Sequence, residues 1–112
     1  MSAIKKYDRF SILSSQFPFK NIPVHSPEYD SLNRIFHFLL ENTDVYYLFF
    51  LKEETLIQYL KYHQSKQFKI ISFTQAISDI KIFTLYLKNN KEINKEIKFD
   101  VSLQNYNLWI NL

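Results

Sequence analysis

Not one of the 112 residues of this chain is glycine, where average usage of about 7% would supply roughly eight. Gly-rich phosphate loops, dinucleotide fingerprints and nucleophile elbows all need backbone free of a Cβ at fixed positions. None of them can be built here. Primed hairpin turns are also harder to form, although asparagine can replace glycine in the left-handed region.

The length fits one domain with one core. Hydrophobic residues make up 46% of the chain, with 11 Phe, 8 Tyr and one Trp, too apolar for intrinsic disorder. That many aromatics need not all be core, so some exposed ones are expected to be binding contacts. Cysteine is absent; disulfides and thiolate chemistry are excluded, and zinc would have to rely on His and carboxylates. Residues 1–10 mix Lys5, Lys6, Asp8 and Arg9 with no continuous apolar stretch, unlike a signal peptide. The longest apolar run, 45–51, is seven residues against about 20 for a membrane span. A cytoplasmic protein that does not enter the membrane is expected.

Charge is unevenly spread. Residues 1–60 hold six basic and seven acidic residues, whereas residues 61–98 hold eight lysines against Asp79, Glu92 and Glu96. A basic second half suits an acidic partner, most simply nucleic acid; the competing explanation is a solvated lysine surface. With only two arginines in the chain, DNA contact would lean on phosphates rather than base edges.

Along the chain, Pro18, Pro23 and Pro27 all fall early, and residues 1–27 read as an irregular or extended arm, with a short strand or helical turn in it left open, packed on a helical domain over 28–112. Ser26-Pro27-Glu28 is a helix start, with an N-cap serine, proline in the first turn and an early acid. Tyr29, Leu32, Ile35, Phe36, Leu39 and Leu40 follow at helical spacing, so a helix is expected over 27–42. Periodicity does not decide the apolar run 45–51 between helix and buried strand. With Leu56, Ile57 and Leu60 behind it, a helix over 44–64, broken near 52–55, is expected. Ser72 with Gln75 three residues on forms a capping box. Phe73, Ala76, Ile77, Ile80, Phe83, Thr84 and Leu87 then share one face of a helix over 73–89. A last helix starts at Asp100 or Ser102, in competition with a strand through 97–101, where Ile97, Phe99 and Val101 alternate. The expected fold is mainly α: a small single-domain bundle of about four helices, with a minor strand pair as the open alternative.

Catalytic and metal signatures are not found. His25, His37 and His63 share no metal-ligand spacing. His37, between Phe36 and Phe38, reads as a flanking or a satisfied core histidine rather than a ligand, and His63 as a helix-closing one, where a cation suits the C-terminal dipole. Glu53 and Glu54 are adjacent, so on a helix they point about 100° apart and do not converge on one atom; they read as solvated, helix-starting acids. No enzyme, cofactor or metal is expected.

The run from Thr74 to Leu87 contains Asp79-Ile80, Phe83 and Tyr86-Leu87 at spacings of four and three, preceded by Leu56-Ile57-Gln58-Tyr59-Leu60 and followed by residues 101–112 with Leu103, Tyr106, Trp109 and Leu112. Over about residues 56–112 this resembles the core-binding domain of tyrosine recombinases and phage integrases, a helical jaw that clamps duplex DNA. The connector 64–71 lacks the glycine usual in that family, residues 1–55 have no counterpart in it, and the catalytic Arg, His and Tyr set is missing. The resemblance implies a DNA-binding accessory or regulatory protein of a mobile genetic element. It also implies that the outer face of the 73–89 helix meets DNA, through Lys66, Lys69, Lys81 and Lys88 on phosphates and Gln75 and Ser78 at base edges. The competing reading is a protein-binding module, such as an inhibitor, immunity protein or assembly subunit, that uses its surplus aromatics. A homodimer through 45–51 is one form of it.

Overall fold

The two best-signalled helices form where their caps place them. In the computed structural model, which describes residues 2–64 and 71–97, helix α2 spans Pro27–Asn42 and helix α4 spans Phe73–Asn89. Ser26 Oγ accepts a hydrogen bond from the Tyr29 amide at 3.1 Å, and Ser72 Oγ accepts one from the Gln75 amide at 3.1 Å. Each thus satisfies one of the amides that a helix start leaves without an internal acceptor. Leu32, Ile35, Phe36 and Leu39 on α2 and Ala76, Ile80, Phe83 and Leu87 on α4 are buried, as the helical spacing requires. These two helices pack most extensively on each other, with α1 (Ser2–Ser15) added to α2 and α3 (Glu53–Gln64) to α4.

Residues 2–15, expected to be irregular, are helical: α1 spans Ser2–Ser15. Phe10, Leu13 and Phe17 stand three and four residues apart. Leu13 is fully buried and Phe17 nearly so, while Phe10 lies edge-on to Phe36 at 5.8 Å. Pro18 limits this helix from beyond its end rather than abolishing it. The arm proper is the stretch from 16 to 26, with a single 3-10 turn at Phe19–Asn21.

The expected helix over 44–64 is shorter than its pattern. Helix α3 occupies Glu53–Gln64, and before it lie extended residues and one 3-10 turn, Leu48–Phe50. Side chains of neighbouring elements supply the hydrogen bonds that a helix would have made internally. Arg9 donates to the carbonyl of Val45 (3.1 Å) and to those of Leu39 and Leu40. Gln16 donates to Tyr46 O (2.7 Å) and accepts from the Leu48 amide (2.8 Å). Thr43 Oγ1 donates to Leu39 O at 2.6 Å and accepts from the Val45 amide.

The core is rich in aromatics. The Phe17 ring, just beyond the end of α1, meets Phe36 edge-on at 5.1 Å and stacks on Phe83 at 5.9 Å, tying the arm to α2 and α4. Left-handed backbone, usually reserved for glycine, falls here to His25 (φ 72°) and Asn94 (φ 41°). No strand occurs among the described residues; the expected last helix and most of the alternative strand lie outside them. Nor is any described helix long and apolar enough to cross a membrane.

Candidate interaction site

Of the six residues expected to contact DNA, Lys66 and Lys69 lie outside the described residues. Lys81 and Lys88 are exposed two turns apart on α4, with Leu85 (59% exposed) between them. Lys88 Nζ stands 3.9 Å from the Glu96 carboxylate, an exposed pair that holds the amine only weakly. Ser78 is half-buried. Gln75 points along its own helix, where its side-chain amide donates to Asp79 Oδ1 at 3.0 Å instead of closing the second half of the capping box.

Asp79 is the feature that sequence reasoning missed. Its side chain is fully buried, yet both of its oxygens are hydrogen-bonded. Arg34 grips it in a two-pronged pair, Nε to Oδ2 and Nη2 to Oδ1, both at 2.8 Å. The Tyr59 hydroxyl donates to Oδ2 at 2.6 Å. Burial alone would raise the Asp79 pKa, but the hydrogen bonds, that from Arg34 foremost, outweigh it and hold the carboxyl below its ordinary range. Burial and its hydrogen bond to Asp79 push the Tyr59 hydroxyl far up, so it stays a donor. This cluster bolts α2, α3 and α4 together. The available signal was position: Asp79 stands three residues after Ala76 and four before Phe83, inside the apolar stripe of α4, where a charge needs an opposite charge.

His63 does not serve as a helix-closing cation. It is 3% exposed, against the rings of Tyr59 (4.5 Å) and Tyr62 (5.0 Å). Burial pushes its pKa down, with Arg34 acting in the same direction and Asp79 opposing. The folded chain therefore holds it neutral. As pH falls below about 6.5, its ordinary value, the unfolded chain takes up a proton that the folded chain refuses, and stability is lost. Above that pH both states are neutral and the effect vanishes. We predict that the stability of wild type relative to His63→Leu falls between pH 7 and pH 5, by at most about 1.4 kcal/mol per pH unit. Urea unfolding at each pH checks this; parallel pH profiles would contradict it.

The third feature is the turn before α3. Leu48 and Leu51 point inward and are fully buried, while Tyr47 (51%), Phe49 (53%) and Phe50 (69%) point outward. Phe49 and Phe50 meet at 5.5 Å and 90°, and Tyr47 and Phe50 at 6.4 Å and 78°. Lys95 Nζ lies 5.2 Å from the centre of the Phe49 ring, within cation–π range. Arg9 and Gln16 hold the backbone that leads into the turn from behind, at Val45, Tyr46 and Leu48. The sequence signal was the aromatic excess and the run 45–51; which rings faced outward was not readable from it.

Glu53 and Glu54 are exposed in the first turn of α3, as expected. His37 is exposed and lies 3.8 Å from Glu41. Among the described residues no three His or carboxylate side chains gather as a metal site. A cleft of about 750 Å³ between residues 14–21 and 86–93 is lined by Lys20, Tyr86, Lys91 and Glu92 among others, with no histidine in its lining. Comparison with protein-family models, curated proteins and solved structures returned no match.

Proposed function

We propose that this chain is a non-enzymatic protein-binding module whose contact is the aromatic turn 47–50. One observation carries the reading: three neighbouring aromatic side chains, each more than half exposed, stand on backbone pinned by Arg9 and Gln16. Aromatic anchors dominate the energetics of protein interfaces. Fixing them before binding removes the ordering cost that a mobile loop would carry. Singly exposed apolar residues are ordinary on a protein surface, whereas a contiguous cluster of this kind marks a contact.

A second reading, duplex DNA binding as a mobile-element accessory, is favoured by Lys81 and Lys88 on one exposed face of α4. Its support is thinner, because Gln75 is engaged with Asp79.

One experiment separates the two. A photo-reactive benzophenone side chain is placed at position 50 or, in a second chain, at position 85, and irradiated in the native cell. The protein-binding reading expects a discrete protein adduct from position 50. Nucleic-acid adducts from position 85, with none of protein from position 50, would overturn it in favour of DNA.

A further inference from the structure

We propose that the aromatic turn docks on a second copy of this chain about a two-fold axis; this rests on the protein-binding reading and names its partner. An isologous contact sets a patch against itself, so the patch must be self-complementary. Two properties of this one are.

The first is its charge. Asp44 and Lys52 bracket the turn, Glu53 and Glu54 follow, and Lys95 lies over Phe49. Rotated by 180° about an axis running across the turn, the Asp44 flank meets the Lys52 flank of the copy, whereas a rim of one sign would repel its own copy about any axis. The second is ring geometry. Aromatic rings are negative on their faces and positive at their edges. Phe50 stands at 90° to Phe49 and 78° to Tyr47, so the cluster offers faces and edges together. A copy of itself can receive both in edge-to-face packing.

Area sets the strength. At about 150–250 Å² per aromatic side chain, three rings exposed by half or more present roughly 350 Å². A stable interface takes about 800 Å² from each partner. The rings are thus the centre, and half-exposed Tyr46 with the charged rim must supply the remainder. A dimer of modest affinity follows, mostly monomeric near ~1 µM and mostly dimeric near ~200 µM.

Sedimentation velocity over that range tests the proposal on the full chain. Phe50→Asp is expected to weaken association at least tenfold with an unchanged melting temperature, because that side chain supports no core. Two rim variants probe the symmetry: Lys52→Glu with Lys95→Glu gives an acidic rim, and Asp44→Lys with Glu54→Lys a basic one. Each alone is expected to be monomeric, and an equimolar mixture to form a heterodimer. A monomeric wild type at ~200 µM, or a dimer indifferent to Phe50→Asp, overturns the proposal. The position-50 photo-adduct distinguishes the failures. An adduct of any mass other than twice 13.6 kDa refutes the self-partner alone. The absence of a protein adduct refutes the wider reading as well.

Discussion

Replacing Arg34 with alanine is expected to cost about 3–5 kcal/mol of folding stability, the usual penalty for leaving a buried charge without its partner. Total stability in a domain of this kind is about 5–15 kcal/mol, so the variant should stand near its unfolding threshold. The cause lies in Asp79. It has no solvent access, and Arg34 supplies two of its hydrogen bonds together with the formal positive charge paired to it. Tyr59 and Gln75 do not neutralise the carboxylate. The ion pair itself need not be strongly stabilising, because both groups lose water to form it. An apolar replacement of the whole cluster (Arg34→Met, Tyr59→Phe and Asp79→Leu together) is therefore expected to recover most of what Arg34→Ala loses. Urea unfolding followed by circular dichroism measures both variants. A loss below about 1 kcal/mol in Arg34→Ala would mean that Asp79 reaches solvent or another cation.

Phe83→Ala is the second large effect, again about 3–5 kcal/mol. Phe83 is fully buried on α4 and stacks on Phe17 just beyond the end of α1. Its removal opens a cavity where three helices meet. Leu85, two residues away, is 59% exposed, and Leu85→Ala is expected to change stability by less than about 0.5 kcal/mol. The contrast checks the rotation of α4 about its axis, since equal costs at the two positions would place the apolar face elsewhere.

Much of the fold was legible locally. Ser26 and Ser72 mark the starts of α2 and α4 because N-capping is a short-range effect of one hydroxyl on one amide. The apolar stripes of these helices then follow by periodicity. What was not legible depends on partners distant in sequence. The run 45–51 departs from a helix because Arg9 and Gln16, about 30 to 36 residues away, take its backbone hydrogen bonds, and no window centred on that run contains them. Helix α1 was hidden by three prolines that lie beyond its end; the weak signal of Phe10, Leu13 and Phe17 becomes decisive only against Phe36 and Phe83. Composition tallied Asp79 as one acid offsetting lysines, whereas it offsets Arg34 in the interior and leaves the lysines of that half opposed by fewer exposed acids. The candidate site was half readable: the surplus of aromatics announced exposed rings, but their identity follows from which side of the turn faces Leu48 and Leu51.

Tyr47, Phe49 and Phe50 are carried outward by the fold and do little to maintain it, and the proposed contact depends on that. The direct measurement is the urea unfolding free energy of the triple variant Tyr47→Ser, Phe49→Ser and Phe50→Ser, at a concentration low enough to keep the chain monomeric. The expected result is a change within about 1 kcal/mol of wild type, as for surface substitutions. A loss of about 3 kcal/mol or more, the range for emptying a core position, would place these rings inside the protein and contradict their role as its binding surface.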